Sequence, residues 1–358
     1  RMTLRQGFTT GTAAAAAAKA ATLHLLTGQG HTTVDVPLPT GERLTIPVLE
    51  SRAEADGILA AVIKDAGDDP DVTHRAVIRA WVRPGAGEGV VLTGGTGVGV
   101  VTRPGLPVTV GQPAINPVPQ IQIRQAVAEA LGAGPRGLHV EIRVDRGEEL
   151  ARKTFNPRLG IVGGISILGT RGTVKPFSHW AYQATIRQCL DVMVANAVPC
   201  PCLTTGGRSE RFLRRARPEI AAEACVQVAD FFFYSMREAG RRRFENLCWG
   251  IFFGKLVKHA QGHRYTHARS AGLDLRTLAL WCAGCGFEPG VCDFVAKANT
   301  ARQVLEEIHD HPRASRLFAL LTDKARFWAR AFAGTDMRVD YLLFDFNGRV
   351  LRDSREAA

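Results

Sequence analysis

Along the first half of the chain, apolar and polar residues alternate in short runs cut by glycine and proline. "TTVDVPLP" and "RLTIPVLE" alternate on either side of Thr40-Gly41, which predicts two strands joined by a turn. "ILAAVIKD", "RAVIRAWV", "GVVLTGG" and "LHVEIRV" predict further strands. Two stretches have helical character instead: an alanine-rich one from about Thr12 to Thr27, and "PQIQIRQAVAEALG". The pattern is α+β, with glycine-dense loops from Gly85 to Gly111 and from Leu159 to Gly172.

From about Pro176 the rhythm lengthens. "HWAYQATIRQCLDVMVANA", "LRTLALWCAG", "FVAKANTARQVLEEIHD" and "RLFALLTDKARFWARAF" predict helices. "PCLTTGG" and "NLCWGIFFG" predict strands that run into glycine, and "MRVDYLLFDF" predicts a last strand. Strand–helix alternation implies a parallel α/β layer. The expected division is therefore an α+β domain over 1–178 and a smaller α/β domain over 179–358. A length of 358 residues agrees, being too long for one ordinary core.

Composition narrows the classes. Hydrophobic residues make up 46% and charged residues 22%, as in ordinary globular proteins. No apolar run reaches the roughly 18–20 residues of a membrane span, and the alanine run near the start lacks the leucine-rich core of an export signal. Eight cysteines scattered through apolar segments suit a reducing cytoplasm. The net charge of +11 favours an anionic partner. Nucleic acid is not expected, because no basic run interleaves with aromatics, and "RRRFENL" reads as a solvated helix end. A membrane surface or an acidic small molecule stays open.

Familiar motifs fail on inspection. Gly95-x-Gly97-x-Gly99 lacks the third glycine of a dinucleotide turn, where Val100 stands, and Pro104 denies the following helix. "GIFFGKLVK" is one residue short for a P-loop and has Leu256 where Ser or Thr is needed. His259, His263 and His267 recur every four residues, but Gly262 interrupts any helix and no carboxylate falls in step. Cys282, Cys285 and Cys292 lack a fourth ligand, and Cys200-x-Cys202 is too tight to pair, so buried thiols are expected. Thr9, Thr10 and Thr12 open a strong helix former, as caps or as an anion site.

"KDAGDDPDVT" concentrates Asp65, Asp68, Asp69 and Asp71 in a basic protein. It lacks the ligand pattern of a Ca²⁺ loop. Asp65 and Asp68 are turn formers bonding amides around Gly67 and Pro70, or crowding tunes one carboxylate for chemistry. Both readings stand at this level.

Taken together, "GFTTGTAAAAAAKAA", "KDAGDDPDVT", "GGTGVGVVTRPGL", "GQPAINPVP", "ARKTFNPRLGIVGGISILGTRG" and "GKLVKHAQGHRYTHA" resemble the cobalt-precorrin-5B C(1)-methyltransferase family, the CbiD type. They occur in that family's order over roughly residues 5–270, while the last 80 or so match loosely. The resemblance implies transfer of a methyl group from S-adenosylmethionine to carbon 1 of a cobalt-bearing tetrapyrrole in cobalamin biosynthesis. It also implies that the first domain is a permuted relative of a left-handed-crossover fold. No protein-bound metal is expected, because cobalt arrives within the substrate. No membrane partner is expected either, and self-association into a homo-oligomer stays open.

Onto this chain the resemblance places donor-binding expectations at Thr10, Gly11, Thr12, Asp69, Gly206, Gly254, Lys255 and Thr266. It places the polycarboxylate substrate against Lys64, Gly95, Gly97, Gly99, Arg103, Asn116, Lys153, Asn156, Arg158, Gly164, Ser166 and Arg171. Arginine and lysine suit carboxylate arms, and glycine would let backbone approach a flat ring. Asp65, Asp68 and His267 are the expected bases, should a proton have to leave. The chain departs from the family pattern at Ala13, where cysteine is usual, and at Arg75, Phe252, Phe253 and Tyr265. The rival functions are a cobalt chelatase using His259, His263 and His267, or a carrier of corrin intermediates.

Overall fold

The computed structural model of the chain describes residues 4–132, 137–268 and 272–355. Packing divides the chain into two units, Arg1–His179 and Trp180–Ala358.

In the first unit, strand β1 (Gly7–Phe8) leads into helix α1 (Thr10–Thr27), followed by the hairpin β2 (Thr33–Pro37) and β3 (Arg43–Pro47). Strands β4 (Glu50–Glu54), β5 (Gly57–Ile63), β6 (Val77–Pro84) and β7 (Val90–Gly94) follow, then the short β8 (Gly97–Val98) and β9 (Val100–Val101). Helix α2 (Pro117–Leu131), strand β10 (Leu138–Val144), helices α3 (Gly147–Ala151) and α4 (Asn156–Leu159), and strands β11 (Ile161–Val162), β12 (Gly164–Ile165) and β13 (Thr173–Val174) complete it.

The main sheet has the order β4-β5-β6-β10-β7, antiparallel except for the parallel β10–β7 pair. Alternation does here what it promises. Ile78, Ala80 and Val82 of β6 and Val140, Ile142 and Val144 of β10 turn one face inward. Helix α1 packs between β5–β6 and α2, and Ala13–Ala18, Ala20 and Ala21 are all fully buried. Small side chains let three layers approach closely. Lys19, nearly buried on the same helix, reaches Glu129 of α2 at 2.7 Å.

In the second unit, α5 (His179–Ala195) starts at the boundary and is followed by β14 (Cys202–Thr204), α6 (Gly207–Ala216), β15 (Cys225–Gln227), α7 (Phe232–Arg241), β16 (Asn246–Phe252) and α8 (Phe253–Ala260). Four more helices come next: α9 (Leu275–Gly284), α10 (Pro289–Lys297), α11 (Ala301–Ile308) and α12 (Ala314–Ala333). Strands β17 (Arg338–Phe344) and β18 (Val350–Asp353) end it. The helix expected over "FVAKANTARQVLEEIHD" is thus two helices. Thr300 caps α11 by accepting from the Gln303 amide at 3.1 Å, which breaks the run.

The second sheet has the order β15-β14-β16-β17-β18, with every pair parallel except β17–β18. Leu213 of α6 clusters with Cys202, Cys248, Leu342 and Phe344 on one face. Trp249 on the other face meets Phe232 of α7 and His259 of α8. Helices therefore cover both faces, which leaves the strand ends as the open edge.

Candidate functional site

The acidic stretch after β5 is a turn held by tethers. Arg5 donates to both oxygens of Asp65, through Nη2 at 2.9 Å and through Nη1, while Asp65 accepts from the Gly67 amide at 2.8 Å. These bonds hold the Asp65 carboxyl down at about 2, against the opposing effect of partial burial. Asp68 accepts from the Arg5 amide at 2.6 Å, and Asp69 from the Phe177 amide at 2.9 Å. Asp71 accepts from Lys64 and from the amide and hydroxyl of Thr73.

This arrangement favours the turn-former reading over the catalytic one. Asp65 bonds the Gly67 amide as that reading says, whereas Asp68 reaches the amide of Arg5 instead. A carboxylate as weakly basic as Asp65 is a poor general base near neutral pH. Lys64, placed earlier against the substrate, is directed inward and fully buried, so its charge is not offered at the surface.

The start of α1 is likewise committed. Thr10 Oγ1 accepts from the Leu168 amide at 2.9 Å, and Thr12 Oγ1 donates to the Gly172 carbonyl at 2.8 Å. Gly11 donates to the Leu168 carbonyl at 3.0 Å. These residues clamp the 166–172 loop. Asn156 Nδ2 donates to the Gly164 carbonyl at 3.1 Å, and Ser166 Oγ to Asn156 Oδ1 at 3.3 Å, which makes that pair an internal tie. Asn116 is the N-cap residue of α2 but makes no side-chain capping bond.

The glycines have an internal reason. A Cβ on Gly97 would stand 2.0 Å from the Val144 carbonyl oxygen, and one on Gly164 2.1 Å from that of Gly97. On Gly99 it would meet Ile161 at 2.4 Å, and on Gly95 the Glu141 carboxylate at 2.5 Å. Their missing side chains bring the chain's own strands together, instead of opening room for a ligand.

What faces outward is the next layer. Strands β9 and β11 pair antiparallel, with Val100 opposite Val162 and Val101 opposite Ile161. Val101 and Ile161 are buried, while Val100 and Val162 are 42% and 58% exposed, so one apolar pair stands proud of the ribbon. Arg103 lies against Gly160 at one end of this ribbon, and Arg158 sits 5.5 Å over the Phe155 ring just before it. Lys153 and Arg171 are exposed nearby in sequence.

In the second unit, β14 is flanked by β15 on one side and β16 on the other, so the connections leave it in opposite directions. Open α/β sheets bind ligands at such a switch point, in the crevice at the carboxyl ends. Gly206 and Gly207 follow β14, and a Cβ on Gly206 would meet nothing within 4 Å. Gly254 and Lys255 open α8 after β16. Lys255 Nζ pairs with Asp230 and donates to the Thr266 carbonyl at 3.1 Å, and Thr266 Oγ1 donates to Asp230 Oδ1 at 3.0 Å. The fold thus brings Gly206, Gly254, Lys255, Thr266 and His267 to one edge. His267 stacks on Tyr265 with ring centres 6.0 Å apart.

Sequence reasoning missed Asp230. Its signal was faint: an acid just past a three-residue strand, at a distance from the glycine turn that only the strand order makes meaningful.

The histidine series does not form a face. Helix α8 ends at Ala260, and Gly262 has φ of 75°, so His259 and His263 leave on different paths. His259 is a core residue, stacked 3.6 Å from Phe232. Cys202, Cys225 and Cys248 stand side by side across the sheet under α6. Among the described residues, no group of three or more His, Cys, Asp or Glu is arranged to hold a metal ion.

Comparison with known proteins adds to this geometry. The CbiD family profile matches residues 1–176, and the CbiD C-terminal domain profile matches residues 265–355, so the tail expected to match loosely carries a recognised domain. A cobalt-precorrin-5B C(1)-methyltransferase of Nitratidesulfovibrio vulgaris strain Hildenborough is 48% identical over 98% of this chain and 93% of its own length. The protein of the same name from Geobacillus kaustophilus is 42% identical over 98% of this chain and 95% of its own. The cobalamin biosynthesis protein cbiD of Archaeoglobus fulgidus is 29% identical over 71% of this chain and 79% of its own, with a TM-score of 0.40. On the strength of the near-full-length sequence matches, the chain belongs to the CbiD family.

Proposed function

We propose that the chain methylates carbon 1 of cobalt-precorrin-5B, with S-adenosylmethionine as donor, to give cobalt-precorrin-6A on the oxygen-independent route to the corrin ring. The observation that carries this is 48% identity, over 98% of the chain, to a relative bearing that enzyme's name. No helix among the described residues is long and apolar enough to cross a membrane.

The first unit takes the substrate. A tetrapyrrole with acetate and propionate arms is a polyanion with an apolar face. Val100 and Val162 offer a matching apolar strip, and Arg103, Arg158, Lys153 and Arg171 offer charge for the arms. The net charge of +11 raises the encounter rate. We also read this unit as a permuted left-handed-crossover fold, a reading that turns on the hand of the β7–α2–β10 connection.

The second unit takes the donor, at the crevice beside Gly206, Gly254, Lys255 and Thr266. The residues there fit it: open space over the glycine turn, polar groups at strand ends and aromatic rings beside them. When bound, S-adenosylmethionine supplies the methyl group to the ring carbon. The chain's own contribution is alignment, which at its best is worth about 7–11 kcal/mol of barrier. If the ring must lose a proton, His267 is placed better than Asp65 to receive it, being half-buried beside Thr266.

The test is incubation with cobalt-precorrin-5B and isotopically labelled S-adenosylmethionine, followed by mass spectrometry of the tetrapyrrole. A gain of one labelled methyl group is expected. Stoichiometric uptake of Co²⁺ without methyl transfer would overturn the reading in favour of a chelatase.

A further inference from the structure

We infer that Asp230 is the ribose-binding residue of the methyl donor, accepting the sugar hydroxyls on Oδ2 while Lys255 and Thr266 hold Oδ1. The inference rests on the donor reading above and adds to it a residue, an orientation and a binding chemistry.

The order β15-β14-β16-β17 places the second strand of the unit beside the first, with the third on the other side. In the Rossmann arrangement, where the second strand likewise neighbours the first although the third lies beyond the second, a glycine turn follows the first strand and an acid roughly 20 residues on receives the ribose hydroxyl. Here the turn is Thr205-Gly206-Gly207 after β14, and the acid past the end of β15 is Asp230. The two are adjacent in space: the Val228 amide donates to the Thr204 carbonyl at 2.8 Å, and a Cβ on Gly207 would meet Gln227 of β15 at 3.6 Å.

Local strain marks the same spot. Ala229, just before Asp230, has φ of 48°, in the left-handed region that a non-glycine residue enters at a cost. That backbone turns the chain just past β15, where Asp230 meets Lys255 and Thr266. Lys255 reaches Asp230 from the far side, from the start of α8 beyond β16. The pair therefore bridges from β15 to β16 across the end of β14, which is where a switch-point ligand sits.

Among the described residues, two polar features lack protein partners there. An ionised carboxylate has about four acceptor positions. Lys255 and Thr266 use those of Oδ1, and Oδ2 makes no such bond. Thr204, the last residue of β14, is fully buried with its hydroxyl unsatisfied by protein atoms. A buried hydroxyl left alone costs free energy unless a ligand or water completes it. Beside them runs a row of rings: Tyr182 stacks on Phe231 at 5.4 Å, Phe231 meets Tyr265 at 5.2 Å, and Tyr265 stacks on His267. Such rings suit a purine base.

The measurement is isothermal titration of the whole protein with S-adenosylhomocysteine and with its 2′,3′-dideoxy analogue. Wild type is expected to lose roughly 10- to 100-fold in affinity on deletion of the hydroxyls, as for a hydrogen bond to a charged group. Asp230→Asn is expected to weaken the parent ligand to a similar degree, and to shrink the parent-to-dideoxy ratio to within about threefold. The ligand-side deletion needs no mutant, so a folding defect in Asp230→Asn does not shelter the inference. An unchanged wild-type affinity for the dideoxy compound, or a full ratio retained in Asp230→Asn, would overturn the role of Asp230 while leaving the donor reading intact. If wild type binds neither compound, the donor reading itself falls.

Discussion

The ammonium of Lys64, with 1% of its side chain exposed, ends on the carboxylate of Asp71 seven residues further on. Burial works against the charge on Asp71, but Lys64 and the Thr73 bonds hold its pKa below the usual carboxylate range. Breaking one side of such a pair strands a buried charge and costs about 3–5 kcal/mol. Asp71→Asn is expected to lower the unfolding free energy by about that much in urea titration. Lys64→Met should cost less, because Asp71 keeps Thr73 and some contact with solvent. Equal small losses would show that the pair is not a closed unit.

Two other carboxylates link stability to acid. Arg43 and Lys19 hold Glu129 at about 2, as Arg5 holds Asp65. A carboxyl with a depressed folded pKa stabilises fully above its unfolded value of roughly 4, and the gain is lost as pH falls toward 2. The unfolding midpoint should therefore drop across that window. Glu129→Gln should flatten the drop more than Asp65→Asn does, since Glu129 also partners the nearly buried Lys19. For Asp65→Asn, the pH profile of kcat/KM between 6 and 8 should keep its shape. A lost limb there would restore Asp65 as a base.

Glycine substitutions separate folding from ligand approach. Gly97 has φ of 79° and a Cβ position 2.0 Å from a carbonyl oxygen, so Gly97→Ala must move backbone. It should fail to accumulate as folded protein. Gly163 also has a positive φ, of 85°, but its Cβ would meet nothing within 4 Å. Gly163→Ala should therefore cost only about 1–2 kcal/mol of conformational strain. The soluble yield of Gly97→Ala and a circular dichroism melt of Gly163→Ala decide this.

Much of the first unit could be read from the sequence because β6 and β10 alternate and β5 is an apolar run, while β4, "ESRAE", carries no apolar period and was not foreseen. The short strands β8, β9, β11 and β12 could not be read either, since two residues carry no period. They exist because backbones meet at Gly97, Gly99 and Gly164. The aspartates were conspicuous but their roles were not, because their partners lie far along the chain: Arg5 for Asp65, Phe177 for Asp69. Asp230 shows the converse. It is one unremarked acid in "VADFFFY" until the sheet order sets it beside Gly206.

The ribbon of β9 and β11 gives a prediction about substrate affinity alone. Val162 is exposed, so Val162→Glu should change stability by no more than about 0.5 kcal/mol. It would set a negative charge against a polycarboxylate, and like charges brought together oppose binding. KM for the tetrapyrrole is expected to rise at least about tenfold, while affinity for S-adenosylhomocysteine stays unchanged. An unaltered KM would place the substrate elsewhere on the chain.

The burial of His259 fixes the sign of a pH effect. Its ring lies flat on Phe232 at 3.6 Å, and Nδ1 is 3.3 Å from the Tyr341 hydroxyl. Burial, with help from the charge of Lys255, pushes its pKa well below 6.5. The folded state thus keeps His259 neutral, while the unfolded chain takes up a proton as pH falls past its ordinary value. Protons bound by the unfolded state alone destabilise the fold, by up to about 1.4 kcal/mol for each pH unit below that value. Replacing His259 with phenylalanine removes this proton but also removes the bond to Tyr341, a loss of about 1 kcal/mol. The variant should therefore be less stable than wild type at pH 8, and the two should converge or cross as pH falls to 5. Parallel curves across that range would mean that His259 titrates in the folded protein, and that the stack on Phe232 opens to admit water.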